Sequence, residues 1–524
     1  MNFGSAADAA IEQSLEQFVV VLAVSLTVAT LSRILPWLRQ IPYTLLLVIV
    51  GLGLAFVDVR LVNLSPQLIL EIFLPPLLFE AAWNVRWRDL QKNWFPVFLF
   101  TVFGVVLSIL AIGFSLSQFT YLTLPTALLV GASLSTTDPV SVVSLFRQLG
   151  ASPKLSILME GESLFNDGIA VVAFVLLVSL PFGSQLLSLS TILPPFLSFV
   201  GIGVGIGCVI GFGISFLTQR FDLPLVEQSI TLVSAYATYL ITEELGGSGV
   251  IGVVTVGIIL GNFGSRIGMN PRTRLLVSEF WEFLAFFVNS IVFLLIGDQV
   301  KLSNLIESAN IIGVCVLAVL LSRLLTIFGF SALSNAWVKS AIGYREQTVL
   351  WWGGLRGSVS IALALSVPVG LAQRQELINT VFGVVLFTLL VQGLTIQPLL
   401  ERFNLIGDQK VKQDYQKLLA RQSALKRVIY YLDHLPKNAA DTVALPSGQR
   451  NAIDKQIELI ESQLNQLKEQ NSQLENLMQQ QLQETLLDLE VDTYAEWIRV
   501  GRLSQDLSPL LAEVFATETQ NPAS

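Results

Sequence analysis

Asn166 and Asp167 stand side by side in an otherwise apolar stretch, residues 157–180, which also holds Glu160, Glu162 and Ser163. A carboxylate at bilayer depth costs about 2.5–3.5 kcal/mol on insertion scales, so three of them in one stretch call for a function. On a helix, Ser163 and Asp167 are four residues apart and share a face, and Glu162 and Asn166 share the adjacent one. A hydroxyl, a carboxylate and an amide oxygen converging there are hard donors suited to an alkali cation.

Two further groups of residues belong with this one. The first is Thr136, Thr137, Asp138 and Pro139. Pro139 removes a backbone donor and crowds the preceding turn, so a helix breaks there. Irregular backbone at membrane depth is tolerated where it lines a cavity or is buried in protein. Asp138 can start the second half-helix, where the dipole favours an anion, and Thr137 can offer hydroxyl and carbonyl oxygens to a cation. The second group is basic: Arg323, and Arg356 within Gly353, Gly354, Leu355, Arg356, Gly357 and Ser358, whose glycines mark another weak or broken helix. Glu80, near the end of an earlier apolar run, is a candidate of either functional or interfacial kind. Glu71, Glu279 and Glu282 read as cavity-lining or interfacial.

The elements that must position these residues follow from composition. Of 524 residues, 53% are hydrophobic and 13% charged, where a soluble protein carries about 25% charged residues. The mean hydropathy is +0.66. Lipid is the expected solvent for most of the chain. Thirteen apolar runs fall near residues 16–34, 42–56, 66–82, 94–116, 123–146, 157–180, 191–217, 226–243, 248–263, 275–297, 308–334, 346–370 and 376–400. Connections after odd-numbered runs carry Arg33, Arg39, Arg86, Arg88, Lys92, Arg147, Lys154, Arg220, Arg266, Arg272, Arg274, Lys339 and Arg345; those after even-numbered runs carry Arg60, Lys301 and Arg374. The positive-inside rule then puts the N-terminus outside and the C-terminal tail in the cytoplasm of a multi-pass cell-membrane protein.

If the first six and last six spans repeat about the seventh, the fifth span corresponds to the twelfth. Both are interrupted, and Pro139 to Ser144 then reads much like Gly357 to Ala362. Paired broken helices in corresponding positions point to an inverted-repeat secondary transporter with a midplane site.

Other features exclude alternatives. Residues 1–17 contain Asp8, Glu12 and Glu16 but no Lys or Arg, so they lack the basic start of a cleaved signal peptide. Cys208 and Cys315 lie in separate apolar runs and read as small apolar side chains. The single histidine, His434, is in the polar tail, which excludes a histidine proton relay in the membrane. A net charge of −8 argues against nucleic acid as a partner. No cofactor is called for.

The transmembrane domain is expected over residues 1–402 and a cytoplasmic tail over 403–524. In the tail, Ile453, Ile457, Ile460, Leu464, Leu467, Asn471, Leu474 and Met478 form a heptad seam, part of a coiled-coil-like helix near 452–490. Asn471 in the seam would favour a parallel pair; the alternative is one amphipathic helix folding back on 482–498. Pro436 and Pro446 bracket a loop before it.

At Thr137, Asp138 and Pro139, at Glu162 through Asp167, and at Gly354, Leu355, Arg356 and Gly357, the chain resembles NhaP-type sodium/proton antiporters of the monovalent cation:proton antiporter-1 family. These are related to the eukaryotic exchangers. The resemblance covers about residues 16–400, and the Gln-rich tail is similar to that of cyanobacterial members. It implies an all-α polytopic membrane protein of about thirteen helices, with two inverted six-helix repeats and crossed broken helices five and twelve. It also implies a homodimer, each protomer having a dimer-forming and an ion-transporting domain. By this resemblance Asp167 binds Na⁺ and the proton alternately, while Asn166, Thr137 and Asp138 shape the site. Ser163 and Glu80 help coordinate the ion, Glu162 pairs with Arg323, and Arg356 is structural.

One buried carboxylate suffices for exchange. Burial disfavours its charged form, sodium favours that form, and a proton neutralises it, so the two ligands compete. If only a neutralised site moves, one Na⁺ is traded for one H⁺. Asn166 keeps a second titrating group out, and Arg323 holds the charge of Glu162. Li⁺ is an expected further substrate. The rivals are a K⁺/H⁺ or mixed monovalent exchanger on the same site, and a gated cation channel.

Overall fold

The computed structural model describes residues 3–35, 38, 41–56, 65–182, 189–219, 223–337, 341–405, 409–433 and 447–470, with scattered residues between 482 and 510. Arg39, Arg60, Arg220, Lys339, His434, Pro436, Pro446, Asn471, Leu474 and Met478 lie outside the described residues. The chain divides into two units, Met1–Leu405 and Ile406–Ser524. Among the described residues both are helical, without a strand.

The first unit opens with α1 (Phe3–Ile34), α2 (Tyr43–Phe56), α3 (Leu74–Asn84), short α4 (Trp87–Lys92) and α5 (Trp94–Phe119). Two half-helices follow, α6 (Leu124–Ser133) and α7 (Val140–Leu149), and then α8 (Pro153–Leu177). Next come α9 (Leu189–Thr218), α10 (Pro224–Glu244), α11 (Gly249–Ile259), α12 (Pro271–Asp298) and short α13 (Leu302–Glu307). The unit closes with α14 (Ala309–Trp337), the half-helices α15 (Tyr344–Trp352) and α16 (Ser358–Ser366), and α17 (Arg374–Arg402). Among the described residues, five helices are long and apolar enough to cross a bilayer: α5, α14, α17, and the parts of α9 and α12 over Ile192–Thr218 and Arg272–Asp298.

Local chemistry sets the ends. Gly150 terminates α7 with φ +66°, a left-handed conformation open to glycine, and Pro153 sits in the first turn of α8, where its missing N–H costs nothing. Small residues set the close crossings. The backbones of α2 and α12 meet at Gly51 and Gly297, where a Cβ would run into the carbonyl oxygens of Leu294 and Val48. Such small-residue contacts replace the hydrophobic drive that lipid cannot supply.

Three helices contain wide π turns in mid-course: Leu99–Phe103 in α5, Leu325–Gly329 in α14 and Thr388–Gln392 in α17. Each loosens a backbone ladder near the breaks: that of α5 lies against α8, that of α14 against α15, and that of α17 against Arg356.

In the second unit α18 (Gln409–Asp433) packs on α19 (Ser447–Gln470). Tyr415, Ile460 and Leu464 form a small core, flanked by Leu418, Leu425 and Leu467. The described part of the heptad seam is thus covered by α18. The sequence hides that partner, because the apolar positions of α18 are diluted by Gln, Lys and Arg. Gln422 and Lys426 add bonds to Glu461 of 2.7 and 3.1 Å.

Candidate ion-binding site

Both expected interruptions are present. Between α6 and α7, residues 134–139 leave helical geometry, and between α15 and α16 residues 353–357 do the same. The two open segments lie against each other. Asp138 N–H donates to the carbonyl of Leu355 at 2.9 Å, and the hydroxyls of Thr136 and Ser360 are 2.7 Å apart.

An interrupted helix leaves carbonyls unpaired at the end of its first half. Two buried arginines meet that need. Arg356 Nη1 donates to the carbonyls of Ser135 (3.3 Å) and Thr136 (2.6 Å), just past the end of α6. Its own backbone N–H donates to Thr388 Oγ1, in the π turn of α17, at 3.1 Å. Arg323, on α14, donates from Nη2 to Leu350 O at 2.9 Å and from Nε to Trp351 O at 3.2 Å, at the end of α15. The same guanidinium grips Glu162 of α8 through Nη1 and Nη2, at 2.7 and 3.3 Å, with both side chains at most 5% exposed. A forked, water-excluded pair of this kind fixes helix α8 against α14 and α15.

Helix α8 is also stitched to the first break. Asn166 Nδ2 donates to Thr137 Oγ1 at 2.7 Å, Asn166 Oδ1 accepts from Thr137 N–H at 3.3 Å, and the Ser163 hydroxyl donates to the Thr137 carbonyl. Asn166 therefore braces the open backbone with both ends of its amide. Asp138 Oδ1 accepts from Val140 N–H at 3.0 Å and caps α7.

In front of these braces lies a cavity of about 460 Å³, lined by Glu80, Thr137, Asp138, Pro139, Ser163 and Asp167 among others. Asn166, Glu162, Arg323 and Arg356 are not on that wall. They border a separate space of about 10 Å³ behind it, room for about one water molecule. The sequence candidates are thus sorted into two groups by position. Asp167 Oδ1 is buried and has no hydrogen-bond partner in the protein. A carboxylate oxygen so placed needs a cation or a proton. The Ser163 hydroxyl keeps acceptor capacity after donating to Thr137, so it and Asp167 can both face a small cation.

Glu80 lies on the same cavity, with Oε1 held by Asn84 Nδ2 at 2.6 Å, and Glu282 lines it from α12. Glu71 and Glu279 do not line it and are exposed. Sequence reasoning missed several contributors: Thr388 as the anchor of Arg356, and the ion pair of Arg147 with Glu160 at the cavity wall, at 2.7 Å. Nothing in the sequence announced the π turn that aims Thr388. The spacing of Glu160 two turns before Asp167 was a visible signal for the other.

Two glycines make the crossing possible. A Cβ on Gly354 would strike the guanidinium of Arg323, and one on Gly357 would strike the carboxylate of Asp138. Gly357→Ala is expected to push Asp138 off α7 at a cost of about 1–3 kcal/mol, the range for overpacking, and to suppress transport several-fold. Wild-type thermal stability and transport rate in that variant would contradict this account.

Residues 22–402 match the sequence profile of the family described as "Sodium/hydrogen exchanger, transmembrane". The chain is 62% identical over 510 residues to the Na(+)/H(+) antiporter ApNhaP of Aphanothece halophytica, covering 97% of this chain and 98% of that one. It is 55% identical over 517 residues to the low-affinity Na(+)/H(+) antiporter NhaS1 of Synechocystis, covering 98% of each. Among solved structures, the sodium proton antiporter MjNhaP1 of Methanocaldococcus jannaschii superposes with a TM-score of 0.60 at 21% identity, over 73% of this chain and 99% of that one. That likeness is one of fold.

Proposed function

The chain belongs to the sodium/hydrogen exchanger family, and from that premise we propose that it works by competition at a single carboxylate, Asp167, trading one Na⁺ for one H⁺ without net charge. It is a Na⁺/H⁺ antiporter of the membrane, and a transporter rather than an enzyme. The observation that carries the single-carboxylate reading is the buried, unpartnered Oδ1 of Asp167 at the wall of a cavity beside two broken helices. Asn166 is neutral and spent on Thr137, and Glu162 is spent on Arg323, so neither supplies a second exchanging charge. Ser163, Thr137, Asp138 and Glu80 complete the surroundings of the ion.

The accompanying architecture is thirteen spans in two inverted repeats, with the N-terminus outside and the tail in the cytoplasm. Support comes from the matched breaks, each with a buried arginine at the end of its first half-helix. With that orientation the cavity mouth at Arg147 and Glu160 faces the cytoplasm. A homodimer is supported by α9, whose most apolar stretch is only 17% buried, against 50–72% in the other long apolar helices. Li⁺ shares the charge and donor preferences of Na⁺ and is a further substrate. In a cell the exchange would serve sodium tolerance and pH homeostasis.

In proteoliposomes, an imposed Na⁺ gradient should drive opposing proton movement that persists at zero membrane potential, at a rate unchanged when the potential is set by a K⁺ ionophore. A rate that follows voltage would overturn the 1:1 stoichiometry. Na⁺ flux without proton movement would indicate a channel, and preference for K⁺ in the same assay would indicate a K⁺/H⁺ exchanger.

A further inference from the structure

The cavity that reaches Asp167 carries an ion pair that the exchange cycle does not use. Arg147, at the end of α7, meets Glu160, in α8, with Nη2 and Oε1 2.7 Å apart. Both side chains line the same cavity as Glu80 and Asp167. Glu160 and Asp167 are seven residues apart on one helix, so they lie on one face separated by two turns, about 10 Å of rise. The Glu160 side chain is 23% exposed and that of Arg147 is 63% exposed, which places the pair at the watery end of the route.

A pair with one partner so exposed contributes little to stability, so holding α7 to α8 is a weak reason for it. Its position is more telling. A cation moving inward passes a wall that holds Glu80, Glu160 and Glu282, and such a wall concentrates counter-ions. Arg147 already occupies Glu160 with a positive charge fixed to the protein.

We propose that Glu160 is an outer cation station on the route to Asp167, and that Arg147 is its resident competitor, displaced by each arriving Na⁺. This rests on the reading of Asp167 as the exchanging carboxylate. The guanidinium sets how much sodium is needed at this mouth before the inner site fills. When Na⁺ takes the station, Arg147 swings towards water, for which its exposure leaves room. When the station empties, the guanidinium returns. The device tunes apparent affinity on one face of the membrane and leaves the chemistry at Asp167 alone.

The test uses the full-length chain in proteoliposomes of known orientation, with Na⁺ titrated on each face in turn. Glu160→Gln should raise the Na⁺ KM on the mouth side about two- to fivefold, the range that an exposed ion pair commands, and Arg147→Gln should lower it by a similar factor. Both changes should fall on KM rather than on the maximal rate, and KM on the opposite face should stay put. The double variant decides between a station and a simple field. If the two charges act only through their summed field, removing both restores the wild-type KM, and the proposal fails. If Glu160 holds the ion, the double variant keeps the raised KM of Glu160→Gln. An unchanged KM in Glu160→Gln also overturns the station, while loss of exchange in Asp167→Asn in the same vesicles keeps the inner site. Exchange surviving in Asp167→Asn overturns the inner site and the station with it.

Discussion

Asp167→Asn should reduce Na⁺/H⁺ exchange to the level of protein-free vesicles. The substitution keeps size and shape, so packing around α8 is preserved, but it removes the only property the cycle needs. An amide neither pairs with Na⁺ as a counter-ion nor takes up and releases a proton. The buried Oδ1 of Asp167 has no protein donor to stabilise its charge, so neutralising it relieves a desolvation cost. The purified variant should therefore be at least as heat-stable as the wild type. Thermal midpoints in detergent and exchange in proteoliposomes, on one preparation, measure both halves. Residual exchange with the wild-type Na⁺ dependence would remove Asp167 from the mechanism. Asn166→Asp is no mirror of this variant, because an aspartate loses the donor that Asn166 Nδ2 gives to Thr137 Oγ1.

The second large effect concerns Glu162 and Arg323. Their side chains are at most 5% exposed, and removing one partner leaves the other charge buried alone. Breaking such a pair costs about 3–5 kcal/mol, whereas replacing both by apolar groups of similar volume is often neutral. Arg323→Met should be the worse single change, because it also abandons the carbonyls of Leu350 and Trp351 at the end of α15. Glu162→Gln should lower the thermal midpoint and leave the Na⁺ and H⁺ competition unaltered in whatever protein survives. The double variant, Glu162→Leu with Arg323→Met, should be less damaged than the sum of Glu162→Leu alone and Arg323→Met alone. Strict additivity would show that the two side chains are not coupled, against their forked contact.

Much of this site could be read from residue types alone. Glu162, Ser163, Asn166 and Asp167 were conspicuous because polar groups in an apolar run must be compensated. Pro139 and the glycines around Arg356 announced the breaks through backbone rules that hold in any solvent. What stayed hidden was which group faces which. On a helical wheel Asn166 and Asp167 are neighbours with similar oxygens. Only the position of Thr137 turns one into a brace and leaves the other facing the cavity. Arg356 gave no hint that its partners are carbonyls near the end of another helix, since backbone acceptors leave no trace in sequence. The π turns were illegible for a like reason: Leu99–Phe103 and Leu325–Gly329 read as ordinary apolar helix. In the tail, the heptad seam was visible but its cover was not. A seam shows that something apolar must lie on it, and α18 supplies that with Tyr415, Leu418 and Leu425.

The stitching around Thr137 has a mechanical consequence. Asn166 and Ser163 tie α8 to the first break, Asp138 ties that break to the second, and Arg323 ties α8 to the end of α15. On the proposed exchange cycle these tied pieces would travel together, as one carriage. The moving surface of that cycle lies outside these ties, where α7, α8 and α16 meet α2, α9, α11 and α12. One latch across it is visible: the hydroxyls of Thr44 and Ser141, 2.5 Å apart, join α2 to α7. A latch on a slip plane slows travel in both directions alike. The pace of such a machine is then written into its runners, and its choice of passenger into the seat.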